Sequence, residues 1–201
     1  MAAPFIKAIN ENLPEIDIVF DRFHLMQRIN KAMDEVRKGV YRSMSKSDRT
    51  NIKGARFLLL KTESKLDPEC VETLQRILAE NEALMVMHMM KEELRKLWDC
   101  STRSEAAEFL SFWCCIAMNI DGSSWTDSND LLQPLKQLGL SMLQHWDGIL
   151  TYFEHPISNG KAEGINNKIK TLKRQAYGYR DLGYFKLRLY HLHRQKHRFC
   201  G

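Results

Sequence analysis

Glycine and proline are scarce, at 10 and 5 of 201 residues. All-β and collagen-like architectures need these residues in turns or triplets, so both start at a disadvantage. The five cysteines, at 70, 100, 114, 115 and 200, are odd in number and contain no C-x-x-C pair. That pattern argues against a disulfide framework or a cysteine zinc site, and a reduced, cytoplasmic protein is expected. Cys114 and Cys115 lie in "FLSFWCCIAMNI", where they are expected to pack inside a buried helix. No apolar run approaches the ~20 residues of a membrane span. Repeats and low-complexity segments are also missing. What remains is an ordinary globular balance, 44% hydrophobic and 27% charged, in a chain long enough to bury a real core.

Negative charge is missing from one end. Residues 160–201 hold eleven Lys/Arg and two acids, whereas the rest of the chain holds 19 basic and 23 acidic residues. A basic end on a slightly acidic body points to a polyanionic partner, nucleic acid first. A solvated basic tail is the plainer alternative.

Along the chain, "EIDIVFD" (15–21) alternates and is rich in Ile, Val and Phe. It predicts a short buried strand ending at Asp21. The segment before it is helix-like, and the segment after it carries Leu25, Ile29, Met33, Val36 and Val40 on a helical period. Residues 67–99 read as helix from the Asp67-Pro68 start signal, broken near Asn81. Another helix is expected from an N-cap at Ser104, and one or two more over 128–153, interrupted near Pro134 and Gly139. Linkers are expected at 43–56 and 120–128.

The most informative stretch is "HPISNGKAEGINNKIKTLKRQAYGYR" (155–180). A turn ending in Gly160 predicts a helix from about Lys161. Ile165, Ile169 and Leu172 form its apolar stripe, and Glu163, Asn166, Asn167, Lys170 and Arg174 share another face. Glu163 is thus a lone acid heading a basic helix. It is either a first-turn acid complementing the helix dipole or a functional carboxylate. Asp21 carries the same ambiguity. It could serve chemistry at the C-terminal end of a strand, or it could cap the helix beginning near Phe23.

Two further clusters invite a metal reading. His88 sits among thioethers in "LMVMHMM" (84–90), where methionine filling helix–helix gaps is the simpler account. His193 and His197 have i, i+4 spacing, but no Glu follows the first His and no Cys pattern supports zinc.

Two long motifs, "DRFHLMQRINKAMDEVRK" and "SNGKAEGINNKIKTLKRQAYGYRDLGYFKLRLYHLH", resemble insertion-sequence transposases of the DDE class, specifically the ISL-three family. "GARFLLLK", "KEELRKLWD" and "WDGILTYFEHPISNG" extend the resemblance over nearly the whole chain. It implies an α/β, predominantly helical chain: a partial RNase H-like fold with a large all-helical insertion between the second catalytic Asp and the catalytic Glu. Asp21 matches that Asp, Glu163 the Glu, and His24 the histidine of the D-x-x-H signature. Residues 1–24 would be the remaining core, 25–154 the insertion, and 155–201 the basic helices carrying Glu163.

The implied chemistry accounts for an acid at the head of a basic segment. Strand cleavage and transfer are in-line displacements at phosphorus, assisted by two Mg²⁺ (or Mn²⁺) ions ~3.5–4 Å apart. Such ions take carboxylate ligands, here Asp21 and Glu163, while the surrounding surface must attract DNA. Lys168, Lys170, Lys173, Arg174, Arg180, Lys186 and Arg188 are the candidate phosphate contacts. Asn166 and Asn167 would support the site or touch the backbone. His24 would orient Asp21, contact the scissile phosphate or make a structural hydrogen bond. The implied partners are insertion-sequence ends and target DNA, with self-association in the complex.

A DDE site needs three carboxylates, and the chain is expected to begin just past the first. Asp17 does not replace it, because four strand residues at ~3.3 Å each separate it from Asp21 by ~13 Å. The chain alone is therefore expected to be inactive in transposition. The rival reading is a non-catalytic helical DNA-binding module in which Asp21 and Glu163 are helix-end acids.

Overall fold

A long helix, α2 (Arg22–Ser43), organises the N-terminal part of the chain. Its inward residues Leu25, Ile29, Met33, Val36 and Val40 recur on the helical period, and all five are buried. The computed structural model describes residues 3–46, 49–120, 131–157 and 160–194. They fall into two compact units, Met1–Ile157 and Ser158–Gly201.

In the first unit, α1 (Ala3–Asn12) precedes α2, followed by the short α3 (Arg49–Ile52) and α4 (Arg56–Leu60). α3 lies within the segment 43–56 expected to be a linker, and α4 begins at its last residue. Next come α5 (Pro68–Ala79) and α6 (Glu82–Arg95), separated at Asn81 as the sequence predicts. The unit ends with α7 (Arg103–Asn119), α8 (Gln133–Gln144) and α9 (Trp146–Leu150). The second linker expectation, 120–128, lies almost entirely outside the described residues.

The core forms where α2 meets α6 and α8, and where α7 pairs with α8. Leu84, Met87, Leu94, Leu110, Leu135 and Met142 are fully buried there. Each such side chain contributes about 1.5–3 kcal/mol through lost water contact. Met87 and Met90 are core residues beside His88, as the packing reading of the methionine cluster expects, whereas Met85 and Met89 are exposed. The α7–α8 approach depends on small residues. A Cβ on Gly139 would stand 3.3 Å from Ala117 Cβ, so this glycine serves packing inside α8 and does not interrupt it. Pro134 likewise opens α8 at its first turn, where its missing N–H leaves no helical bond unmade.

Three other expectations are corrected. The N-cap of α7 is Thr102, not Ser104: Thr102 Oγ1 accepts from Glu105 N at 3.2 Å, and Glu105 Oε2 accepts from Ser101 N at 2.8 Å. This reciprocal box satisfies two otherwise orphaned donors. Cys115 is exposed, whereas Cys114 is buried and its thiol is pushed up to about 11 by that burial.

The third correction is larger. Residues 15–21 form no strand, and no strand occurs among the described residues. A strand needs a partner for its N–H and C=O groups. Here Phe20 N instead donates to the carbonyl of Gly148 in α9 at 2.8 Å. Ile18 and Phe20 pack on the core, while Ile16 stays 55% exposed. The described chain is predominantly helical, and the α/β expectation is not met within it.

One buried charge went unnoticed in the sequence. Lys91 in α6 is 0% exposed. Its Nζ donates to the carbonyls of Leu59 (2.5 Å) and Lys61 (2.9 Å) and pairs with Glu92 at 2.9 Å. The ammonium thereby caps the end of α4, where a helix presents orphan carbonyls and negative dipole. Burial holds its pKa below the ordinary lysine value, against the raising effect of Glu92.

The second unit is a helical hairpin, α10 (Gly160–Gln175) and α11 (Leu182–Arg194). Leu172 is the buried residue among those described there, and Tyr179 packs beside Tyr184 and Phe185, with ring centroids 6.1 and 4.9 Å away.

Candidate carboxylates and nucleic-acid interface

Asp21 is the N-cap of α2. Its backbone is extended (φ −63°, ψ 129°), and its Oδ1 accepts from Phe23 N at 2.7 Å. Its neighbour Phe20 is wedged in place: a Cβ on Gly148 would fall 2.7 Å from the Phe20 ring. Only glycine admits that contact, so α9 fixes the residue directly before the carboxylate. His24 lies one turn into α2, half-buried, with Nδ1 3.4 Å from Gln27 Oε1. The structure thus places His24 beside Asp21 in sequence and on the same helical end.

A cavity of about 480 Å³ opens beside them, lined by Phe20, Asp21, His24, Leu25, Gln27, Arg28, Lys31, Trp98, His145 and Ile149. Burial, then Arg28, holds the His145 imidazole below its ordinary value, so it is neutral at pH 7. The Trp98 Nε1 is buried without a hydrogen-bond partner among the described residues. Trp98 and His145 were not singled out as site residues from sequence, although Trp98 lies within "KEELRKLWD", because they come from segments remote from Asp21. Asp17 is engaged elsewhere: its Oδ2 lies 3.5 Å from His155 Nε2.

In the other unit Glu163 stands in the first turn of α10, exposed, where a negative charge complements the helix dipole. The remaining acid of this basic segment, Asp181, is committed to local structure. Its Oδ1 accepts from Gly183 N (2.7 Å) and Tyr184 N (3.1 Å) at the start of α11. Asn166, Asn167, Lys168, Lys170, Lys173 and Arg174 are exposed on α10, Arg180 on the connecting loop, and Lys186 and Arg188 on α11. Lys173 Nζ sits 5.3 Å above the Phe185 ring. None of these cations forms an ion pair among the described residues, whereas Arg37, Lys38 and Arg56 converge on the buried Asp34 in the first unit. Burial would raise the Asp34 carboxyl, but hydrogen bonds from Lys38 and Arg37 outweigh it and hold its pKa below the ordinary value.

Asp21 and Glu163 offer the hard oxygen donors that Mg²⁺ prefers. They belong to different units, and among the described residues no three His, Cys, Asp or Glu side chains form a metal-holding group. His197, half of the sequence-level zinc pair, lies outside them, as does the His193 side chain.

Asp21 thus caps α2, and Glu163 heads the basic helix α10. A family model described as transposase, that of the ISL3 (ISL-three) DDE type, matches residues 1–189, and the chain belongs to this transposase family. It is similar to the transposase for insertion sequence element IS1001 of Bordetella parapertussis, with 31% identity over 192 residues. That match covers 94% of this chain and 45% of the relative, so the chain spans less than half of that protein's length. No solved structure matches. No helix among the described residues is long and apolar enough to cross a membrane.

Proposed function

We propose that this chain is the part of a DDE transposase that carries the second Asp and the Glu of the catalytic triad, Asp21 and Glu163. In the complete enzyme these residues belong to an RNase H-like core, with residues 25–154 inserted between them. The observation that carries this reading is the exposed face of α10. It presents Glu163 with Lys170 and Arg174, while Lys168 and Lys173 are exposed elsewhere on the helix, all without ion-pair partners among the described residues, in a chain matched to the family over 1–189. Cations left without internal partners are available to phosphate, and Glu163 is left acidic among them. The family generally uses a divalent metal. Mg²⁺ or Mn²⁺ held by Asp21, Glu163 and a third carboxylate would polarise the scissile phosphate. His24 positions Asp21 through the first turn of α2, and the basic hairpin holds the DNA backbone. Self-association on paired DNA ends belongs to the same reading.

Two carboxylates of three do not complete the chemistry, so the 201-residue chain is expected to bind DNA without cutting it efficiently. Duplex binding measured against salt tests the interface. Each of Lys168→Ala, Lys170→Ala and Arg174→Ala should reduce the slope of log K against log salt by about 1. Unchanged slopes would remove the interface. Mg²⁺-dependent nicking by the chain that vanishes in Glu163→Gln would overturn its inactivity alone.

A second reading has one observation in its favour, the 2.7 Å cap bond of Asp21. On that reading both acids are purely structural and the chain is a helical DNA-binding module. Its affinity for DNA would then be indifferent to Mg²⁺, both in the unmodified chain and in Glu163→Gln.

A further inference from the structure

We propose that Tyr177, at the tip of the α10–α11 hairpin, is a base-stacking residue that engages an unpaired base of the bound DNA. The inference rests on the DNA-binding reading of this hairpin and adds the form of DNA it prefers. The end of α10 is a Schellman motif: Gly178 N donates to Lys173 O at 3.0 Å, and Tyr177 N donates to Arg174 O at 3.1 Å. Tyr177 therefore occupies the left-handed position after the helix, with φ +50°, where glycine is the usual residue. The glycine comes one residue later, at Gly178, φ +103°.

A bulky aromatic at positive φ is an outlier, and such residues persist where the surroundings over-determine them. Packing does not explain this one, because Tyr177 is fully exposed. Tyr179, two residues on, is the structural tyrosine of the loop, resting on Tyr184 and Phe185. The tip is held on both sides, by the Schellman bonds and by the Asp181 cap of α11. Tyr177 is thus presented in advance, and little ordering accompanies binding. Lys173, Arg174 and Arg180 surround it in sequence. An exposed aromatic among cations is the composition of a stacking platform for single-stranded nucleic acid, since an unpaired base offers a free face and a paired one does not.

The test uses the full chain and two DNA probes, a paired duplex and the same duplex with one unpaired 2-aminopurine in a gap. The unmodified protein should bind the gapped probe more tightly and quench its 2-aminopurine. Tyr177→Ala should weaken gapped-probe binding by about 5-fold to about 100-fold and abolish the quenching, leaving paired-duplex affinity in place. Tyr177→Phe should retain both. Tyr177→Gly should lose stacking while melting no lower than the unmodified chain, since glycine suits this φ; this separates lost stacking from lost folding. Equal affinity for the two probes, or quenching that survives Tyr177→Ala, overturns the inference. So does an equal loss on both probes in the Ala variant. Failure of the unmodified chain to bind either probe overturns the DNA-binding reading beneath it.

Discussion

Asp21 can be a helix cap and a catalytic carboxylate at once, and two substitutions separate the roles. Its Oδ1 accepts from Phe23 N at 2.7 Å at the start of α2, the helix that meets α6 and α8 in the core. Asp21→Ala removes the cap, a loss of about 0.5–2 kcal/mol. It also removes the favourable charge at the helix N-terminus, about 0.3–1 kcal/mol more. In a protein of this size each kcal/mol moves Tm by about 2–4 °C, so a fall of about 2–12 °C is expected. Asp21→Asn keeps an amide oxygen where the carboxylate oxygen was, and Asn caps as well as Asp. Only the charge is lost, and Tm should fall by no more than about 1–4 °C. Thermal unfolding followed by circular dichroism reads the difference. Divalent-ion binding is the complementary measurement, because both variants should lose any Mn²⁺ held at Asp21. If Asn destabilises as much as Ala, or Ala changes nothing, the cap is not what holds this end of α2.

Two further outcomes follow from buried groups in α6. Lys91→Met strips the donor from the Leu59 and Lys61 carbonyls and leaves Glu92 without its buried partner. Glu92 is partly exposed and keeps Arg95 at 3.3 Å, so the loss comes from the two orphaned carbonyls, about 1–3 kcal/mol, read as a lower urea midpoint at an unchanged slope; no measurable loss would refute the assignment. His88 is buried, and burial, then Lys91, holds its imidazole below the ordinary value. The unfolded chain takes up a proton near pH 6.5 and the folded chain does not, so stability is fully present above that pH and declines as pH falls towards the folded value. His88→Met should flatten the decline between about pH 7 and pH 5. It should not abolish it, because His145 is shifted in the same direction. An unchanged decline would show that His88 takes up its proton as readily in the fold as in the unfolded chain.

Much of the helical framework was legible because helix signals are local. The period through Leu25, Ile29, Met33, Val36 and Val40, the start at Asp67-Pro68 and the break at Asn81 all read directly from neighbouring residues. Boundaries were less legible. Ser104 and Thr102 are both acceptable caps by type, and only the bonds to Glu105 and Ser101 select Thr102. The candidate carboxylates were found through motif and charge, whereas the cavity beside Asp21 was not. Its wall draws on α2, Trp98, His145 and Ile149, which no spacing rule connects.

By itself the sequence determined that the chain is rich in amphipathic helices, that its cations concentrate in the last part, and that an acid heads that basic segment. Those properties belong to residues within a few turns of one another. Tertiary structure decided the rest. The alternating stretch 15–21 has no ladder partner among the described residues, so Phe20 bonds to Gly148 and Asp21 becomes a cap. Lys91 is buried because two carbonyls some thirty residues earlier turn towards it. Backbone pairing and burial depend on what arrives from elsewhere in the chain, and no local pattern carries that information.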